Sequence, residues 1–173
     1  SLTRDEVVTL IGSPFNDTAN LNMMRLGGAG GYEGTLNITM GDGDDSLNSA
    51  KLMNKDSVDM GDGNDNVSLM LTSESNNSIA AANFTKLDGG AGTDTLSFGE
   101  SSPAAGTELT LTTAGATNFE NLVGGDAGGT LKGDNSANTI KGGRGADTLY
   151  GYGGNDILVA NGNNLTGADT NTS

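Results

Sequence analysis

Single apolar residues recur along this chain at regular intervals, and segments rich in glycine and aspartate separate them. Residues 124–159 divide into four successive nine-residue units, GGDAGGTLK, GDNSANTIK, GGRGADTLY and GYGGNDILV. The eighth position of each unit is apolar and is occupied by Leu131, Ile140, Leu149 and Leu158. A unit of this length holds a turn followed by a short strand whose eighth side chain points inward. The pattern predicts parallel strands stacked as coils of a solenoid.

The same frame is found, less regularly, in three segments upstream. In LNITMGDGDDSLN, DSVDMGDGNDNVSL and FTKLDGGAGTDTLSF the sixth position is Asp45, Asp65 or Asp94, and the eighth is Leu47, Val67 or Leu96. The first two turns lie twenty residues apart and the third follows twenty-nine later, against eighteen for two regular units. We therefore expect one slightly enlarged coil and one that carries an extra loop within residues 72–82. A longer coil is expected to join the two repeat regions, with TELTLTT at 107–113 as a strand.

The N-terminal part is less regular. Residues 12–20 resemble a degenerate unit with Asp17 at the sixth position, and residues 26–34 resemble a turn without its aspartate. We expect one domain at 1–165, which comprises an irregular N-terminal cap (1–35), enlarged coils (36–123) and tandem units (124–159). A polar linker or tail is expected at 166–173.

Composition and charge indicate what these turns bind. The chain has 173 residues, 29 of them glycine, and only 34% are hydrophobic, which is poor material for an ordinary globular core. Twenty-two acidic residues face eight basic ones, and the net charge of −14 excludes a nucleic acid partner and calls for bound cations. Because cysteine and histidine are absent, only oxygen ligands are available. The cation is therefore predicted to be a hard one such as Ca²⁺.

The units resemble the hemolysin-type, or RTX, nonapeptide G-G-x-G-x-D-x-U-x, in which U is a large aliphatic residue. Unit 142–150 fits fully, whereas unit 151–159 departs at Tyr152 and Gly153. Units 133–141 and 124–132 carry Asn138 and Gly129 where aspartate is expected, so these two turns should bind metal less well. The resemblance covers residues 36–159 and implies an all-β fold, a right-handed parallel β-roll with several Ca²⁺ ions in its turns.

In such a roll, glycines allow the turn dihedrals and let backbone carbonyls approach a cation, which the aspartate carboxylate completes. Asp45, Asp65 and Asp94 should form a column along one edge, to which Asp42 and Asp62 add negative charge. Residues eighteen apart should share an edge, so Asp147 pairs with the turn at Gly129 and Asp156 with Asn138. The candidate metal-binding residues are Gly41, Asp42, Gly43, Asp45, Gly61, Asp62, Gly63, Asp65, Gly90, Gly92, Asp94, Asp126, Asn138, Gly143, Gly145, Asp147, Gly154 and Asp156.

Other readings of the same residues are weaker. An acidic linker would not keep four units in phase, although the upstream turns also fit ordinary β-turns that bind nothing. An EF-hand loop starting at Asp62 fails because Val67 and Ser73 stand where glycine and glutamate are needed. No glycine fingerprint for a nucleotide opens a helical segment. The chain is not expected to be an enzyme, since its carboxylates lie at turn positions and neither histidine nor cysteine is present.

RTX repeats occur in several kinds of secreted protein, so two functions remain. One is a ligand-binding module of a long bacterial surface adhesin, and the other is the calcium-triggered folding segment of a secreted enzyme or toxin. The irregular coils and polar loops favour the first, and the whole pattern resembles the calcium-dependent peptide-binding domains of RTX adhesins. We expect an extracellular module, monomeric within a longer chain and without membrane insertion, that binds a peptide, protein or glycan.

The turn at 124–129 lacks its aspartate, so an ion there would retain open coordination positions. We hypothesise that Asp126, Gly128 and Gly129, with Asp94 and Asp147, surround a ligand such as a peptide C-terminal carboxylate. Sugar hydroxyls would fit the same positions. Tyr150 and Tyr152 flank Gly151 and either cover the end of the roll or form a stacking platform for a ligand.

Overall fold

The described part of the chain forms fourteen short strands and one 3₁₀ turn. The computed structural model describes residues 7–21, 34–50, 55–70, 85–98 and 106–160, and the account below is limited to them. The strands are β1 Val7–Ile11, β2 Thr18–Asn20, β3 Thr35–Asp42, β4 Ser46–Ala50, β5 Ser57–Asp62, β6 Asn66–Leu69, β7 Lys86–Asp88, β8 Thr95–Ser97, β9 Thr107–Thr110, β10 Asn121–Val123, β11 Gly129–Lys132, β12 Thr139–Lys141, β13 Thr148–Tyr150 and β14 Ile157–Val159. The 3₁₀ turn is Thr113–Gly115.

Consecutive strands alternate between a long sheet and two shorter ones. The long sheet has seven strands in the order β14-β12-β10-β8-β6-β4-β2. The N-terminal sheet has the order β1-β3-β5-β7, and the C-terminal sheet has the order β13-β11-β9. Every pairing is parallel. The chain thus winds as a stack of coils, which confirms the predicted parallel β-roll.

A narrow core fills the space between the sheets. It takes one to three inward side chains from each strand, because neighbouring residues of a strand point to opposite faces. The eighth positions of the repeat frame, Leu47, Val67, Leu96, Leu131, Ile140 and Leu149, are at most 1% exposed. Ile38, Met40, Val58, Met60 and Leu87 are equally enclosed on the N-terminal sheet. The apolar pattern thus predicts these core positions, whereas Leu158, the eighth position of the last unit, is only partly buried against the core.

Within the described residues, the coil between the two repeat regions is where the short sheet changes from the N-terminal one to the C-terminal one. β9 pairs with β11 in the C-terminal sheet, while Thr117, after the 3₁₀ turn, bridges Asp88 at the end of β7. Phe98 and Phe119 are buried at this junction. One longer coil therefore serves both short sheets, as the sequence leads one to expect, and TELTLTT is a strand only over its first four residues.

The first part of the chain is more regular than its sequence suggests. β1 pairs with β3 and β2 pairs with β4, so residues 7–21 form a coil in register with the next one. Val7, Ile11 and Phe15 nevertheless remain 60%, 77% and 74% exposed at this end of the stack. Most of the predicted turn at 26–34, the loop at 72–82 and the tail at 166–173 lie outside the described residues. Within the described part, no helix has the length and apolar character needed to span a membrane.

Candidate metal-binding turns

The turns of the roll lie along two edges. On the first edge, turns lead from the N-terminal or C-terminal sheet into the long sheet, at 12–17, 41–45, 61–65, 89–94, 117–120, 133–138 and 151–156. On the second edge, turns lead out of the long sheet, and those described are 124–128 and 142–147. The two edges are separated by the length of a three-residue strand, about 10 Å.

The sixth-position aspartates of the first edge form a ladder. Asp17 N donates to Asp45 Oδ1 at 2.7 Å, Asp45 N to Asp65 Oδ1 at 2.7 Å, and Asp65 N to Asp94 Oδ1 at 2.8 Å. Further along the same edge, Asn138 N donates to Asp156 Oδ1 at 2.9 Å. Each carboxylate thus binds the backbone of the coil before it, and the structure places Asp45, Asp65 and Asp94 in the column that their spacing predicts.

A second ladder on the same edge runs in the opposite direction. Here the exposed fifth-position side chains accept from the coil that follows. Asp44 N donates to Asn16 Oδ1 at 2.9 Å, Asn64 N to Asp44 Oδ1 at 2.8 Å, and Thr93 N to Asn64 Oδ1 at 3.0 Å. Adjacent turns are therefore held together from both sides.

Four of the sixth-position aspartates keep one oxygen without a partner. In the described part of the chain, Oδ2 of Asp45, Asp65, Asp94 and Asp156 is buried and accepts no hydrogen bond. An unsatisfied buried carboxylate oxygen is costly, and such groups in a folded protein call for a missing ligand. A cation is the ligand that a bare carboxylate oxygen fits best.

Three turns of the same edge lack this feature, and in two of them hydrogen bonds of the sixth-position side chain explain why. Ser13 donates to Asp17 Oδ2 from its backbone N at 2.6 Å and from its Oγ at 2.8 Å. Asp134 N donates to Asn138 Oδ1 at 2.8 Å, and the Asn138 amide donates to Glu120 O at 3.0 Å. Because these side chains already have hydrogen-bond partners within the protein, the turns at 12–17 and 133–138 have fewer oxygen atoms available to bind a cation than the other turns have.

Burial makes the carboxylates of Asp45, Asp65 and Asp94 reluctant to ionise in the absence of metal. Desolvation raises the pKa of Asp94 to about 6, opposed by the hydrogen bond from Asp65 N and assisted by the negative charges of Asp65 and Glu120. The pKa values of Asp45 and Asp65 are also raised, again chiefly by burial. A divalent ion between the turns would counteract these shifts, because its positive charge favours the ionised carboxylates.

Backbone carbonyls supply the other oxygens of these turns. A Cβ placed on Gly61, where φ is +102°, would lie 1.8 Å from Gly41 O, and one on Gly63 would lie 2.0 Å from Gly43 O. Only glycine permits such close stacking of one turn on the next. Among the described residues no three acidic side chains converge on a single point. The donor set is thus carbonyl oxygens with one carboxylate from each turn, which fits a hard cation such as Ca²⁺.

The remaining predicted ligands of the first edge lie at its surface. Asp42 and Asp62 are exposed neighbours in register, so they add negative charge outside the turns. Gly90, Gly92 and Gly154 have positive φ angles of 101°, 149° and 95° in their turns, as Gly41, Gly43, Gly61 and Gly63 have.

On the second edge the structure brings together most of the predicted ligand group. Asp147 Oδ1 accepts from Gly129 N at 3.0 Å, and the turns are so tightly stacked that a Cβ on Gly143 would lie 1.8 Å from Gly125 O. A cavity of about 10 Å³, room for one water molecule or small ion, adjoins Asp147. Its lining consists of Thr107, Leu109, Gly125, Gly128, Gly129, Leu131 and Asp147. Gly145 packs against Gly128 N, and Asp126 is exposed in the neighbouring turn.

Asp94 does not belong to this group. It precedes β8 on the first edge, whereas Gly128 and Gly129 follow β10 on the second, and β8 and β10 are parallel neighbours. The sequence does not reveal on which edge a turn falls when the coils between have irregular lengths, so Asp94 is removed from the predicted ligand site and stays with the first-edge column.

Two acidic residues that accept hydrogen bonds between coils were not predicted from the sequence. Glu120 takes the sixth-position role in the turn at 117–120, where its Oε2 accepts from Asp94 N at 2.7 Å. Asp56, 0% exposed, accepts from Leu36 N at 2.8 Å at the second edge. Asp56 precedes Val58 by two residues, which is the Asp-x-aliphatic spacing of the repeat and the signal that would have found it. Glu120 has the same spacing to Leu122, but its extra methylene hid the analogy.

Comparison with known proteins agrees with this geometry. The family model of the RTX calcium-binding nonapeptide repeat matches residues 86–101 and 132–164, in four copies. No curated protein and no solved structure matches the chain. The matched segments contain the orphaned carboxylates of Asp94 and Asp156 and the Asp147 turn. The chain therefore carries calcium-binding nonapeptide repeats of the RTX family on a parallel β-roll.

Proposed function

We propose that this chain is a calcium-dependent ligand-binding module of a large secreted bacterial RTX adhesin, and that it binds a peptide through its C-terminal carboxylate. The observation that carries the proposal is the turn at 124–129, which has no sixth-position carboxylate and adjoins a cavity beside Asp147. At Asp45, Asp65 and Asp94 both stacked turns contribute a carboxylate, but here only one turn does.

The residues around this cavity suit a small anionic group. Gly125, Gly128 and Gly129 present backbone without side chains, so the approach to Asp147 is not blocked from that turn. A calcium ion held there would supply the positive charge that attracts a carboxylate to a chain of net charge −14. Exposed Asp126 would repel a second negative charge, which favours a single terminal carboxylate over a run of acidic side chains.

An extracellular setting at the bacterial surface is part of the proposal. Sites of this type need not bind tightly, since calcium-binding extracellular modules have dissociation constants on the order of 10⁻⁴ to 10⁻³ M. The chain has no cysteine and does not depend on disulfides in that environment. Its calcium-binding repeats support a role outside the cell.

The test compares short peptides that differ only in their C-terminus. Free-acid peptides from a randomised library should bind the calcium-loaded chain, while the amidated forms should not bind. Asp147→Asn keeps the acceptor for Gly129 N but loses charge, and it should weaken peptide binding by at least tenfold, about 1.4 kcal/mol. The matched control is Asp17→Asn, since the carboxylate of Asp17 is already satisfied by Ser13. Equal binding of amidated and free peptides would refute the carboxylate site.

A second candidate is the calcium-triggered folding segment of a secreted enzyme or toxin. The ladder supports it, because each turn is completed by a carboxylate of the next coil and folding should therefore be coupled to metal. A combined array of peptides and glycans, probed with and without calcium, separates the candidates. Capture of peptides favours the adhesin as proposed, and capture of glycans that persists when Tyr150 and Tyr152 are replaced favours a calcium-bridged sugar site. No capture, with calcium only restoring β-structure, favours the folding segment.

A further inference from the structure

Two tyrosines form a stacked pair beside the last coil of the roll. Tyr150 ends β13, and Tyr152 lies two residues later at the start of the turn at 151–156. Their ring centroids are 5.9 Å apart and their planes differ by 15°. This separation exceeds the contact distance of about 3.5–4.0 Å between carbon atoms, so the parallel rings are laterally offset and overlap only in part. Tyr152 is 38% exposed, and the pair thus presents aromatic surface to solvent.

Tyr152 holds this position in a backbone conformation that favours glycine. Its φ is +68°, and the same turn position is occupied by Gly41, Gly61 and Gly90, with φ of 110°, 102° and 101°. L-residues other than asparagine and aspartate rarely adopt such angles, because Cβ approaches the backbone. A strained residue persists where the surrounding structure holds it and often marks a functional site. Tyrosine thus occupies a position where glycine would adopt the backbone angles with less strain.

Charged and neutral polar side chains lie near the tyrosine pair. Lys132 is the register neighbour of Tyr150 across β11 and β13, and its Nζ pairs with Glu108 Oε2 at 2.6 Å. The side chains of Lys132 and Glu108 are 28% and 56% exposed, so both reach solvent next to the rings. A Cβ on Gly153 would lie 3.1 Å from Asn135 Oδ1, which places that amide beside the residue that follows Tyr152. The rings therefore have a cationic donor, an anionic acceptor and an amide within their surroundings.

We propose that Tyr150 and Tyr152 form a binding platform for a neutral hexopyranose, such as a residue of a surface glycan. One face of a pyranose ring carries only C–H groups and packs on an aromatic face, while its hydroxyls need donors and acceptors at the rim. Glu108 and the net charge of −14 disfavour an acidic sugar, and the ammonium of Lys132 is already paired. The platform lies beside the first edge, whereas Asp147 lies on the second, so it is independent of the proposed peptide site.

The experiment follows the tyrosine ring signals of the calcium-loaded full chain by NMR. The chain contains three tyrosines, which keeps this spectral region simple. Methyl β-D-glucopyranoside, methyl β-D-galactopyranoside and methyl α-D-mannopyranoside are titrated separately, and N-acetylphenylalanine amide serves as an aromatic probe. With at least one hexoside, the signals of Tyr150 and Tyr152 should shift saturably in the millimolar range.

Two variants remove the platform in different ways. Tyr152→Gly restores the residue type of the equivalent turns and relieves the positive φ, so it should lose hexoside binding at least tenfold without lowering the melting temperature. Tyr150→Leu leaves that turn unchanged and should lose binding as well, which keeps the test valid if Tyr152→Gly disturbs the coil. Phe15→Ala removes an exposed ring from another turn of the same edge and should have no effect.

Three outcomes overturn the platform. These are no ring shift with any hexoside, undiminished hexoside binding by a folded Tyr152→Gly or Tyr150→Leu variant, and a response to the aromatic probe alone. None of them bears on the peptide experiment, since neither variant touches the turns at 124–128 and 142–147.

Discussion

The sixth-position aspartate uses its two oxygens for different purposes. In Asp65, Oδ1 accepts from Asp45 N, while Oδ2 is buried and without a partner. Asp65→Asn keeps the first function and replaces the bare oxygen by an amide. We expect this change to weaken calcium binding at the adjoining site at least tenfold, about 1.4 kcal/mol, because a charged ligand is lost. Isothermal titration with calcium measures the effect.

The same substitution at Asp17 is the control for this prediction. There the second oxygen already accepts two hydrogen bonds from Ser13, so calcium binding should change much less. Equal losses in the two variants would show that the orphaned oxygens are not the metal ligands.

The raised pKa values make the calcium-free chain sensitive to pH. Asp94 has a pKa of about 6 in the folded chain against 3.8 as its ordinary value, so the folded state binds the proton more tightly than the unfolded state. The free energy of unfolding without metal should therefore rise as the pH falls through about 6 towards 3.8, and Asp45 and Asp65 act in the same direction. Circular dichroism in chelator should show more β-structure at mildly acidic than at neutral pH.

Calcium binding should weaken over the same pH range, because protons and calcium compete for these carboxylates. A calcium-free β-signal that stays constant or falls on mild acidification would contradict this assignment of the buried groups.

At the scale of the elements, the spacing of coils depends on glycine in the turns. Gly61→Ala would force a Cβ to within 1.8 Å of Gly41 O at a φ of +102°. Conformation costs about 1–2 kcal/mol and steric overlap a further 1–3 kcal/mol, so we expect a loss of roughly 3 kcal/mol in unfolding free energy. Urea titration in saturating calcium gives the value.

Gly106→Ala isolates the conformational part of this cost. Gly106 has a φ of +83°, but nothing lies within 4 Å of a Cβ added there. The Gly106→Ala variant should lose about 1–2 kcal/mol of unfolding free energy. If Gly61→Ala and Gly106→Ala lost the same free energy of unfolding, the close stacking of the turns would not depend on glycine at position 61.

The elements that the sequence predicts best are those with strict spacing. β11 to β14, the core at Leu131, Ile140 and Leu149, and the column of Asp45, Asp65 and Asp94 all follow from the nine-residue frame. Asp56 was missed because the sequence before it lacks the glycines that mark the frame, and Glu120 because glutamate stands in place of aspartate. The inclusion of Asp94 in the ligand group with Gly128 and Gly129 was wrong, since only the register of β8 with β10 reveals that they lie on different edges.

At the scale of the whole molecule, charge opposes the fold. Carboxylates stack along one edge in a chain of net charge −14, and the described core is narrow. Removal of calcium at low ionic strength should therefore abolish most of the β-signal, and calcium should restore it. Monovalent salt should restore only a part, because it screens repulsion over about 8–10 Å without ligating the buried oxygens. Persistence of the full signal in chelator would show that the roll does not need its metal.

The opposed hydrogen-bond ladders make the two ends of the roll unequal. Removing the last coil deprives the new final turn of the carboxylate that its enclosed sixth-position N–H requires. Removing the first coil frees only a carboxylate oxygen and an exposed fifth-position N–H, as at Asp45 and Asp44, and water can solvate both. The molecule should thus tolerate shortening from its N-terminal side better than from its C-terminal side. The last described coil thus supplies the carboxylate that the buried N–H of the coil before it requires.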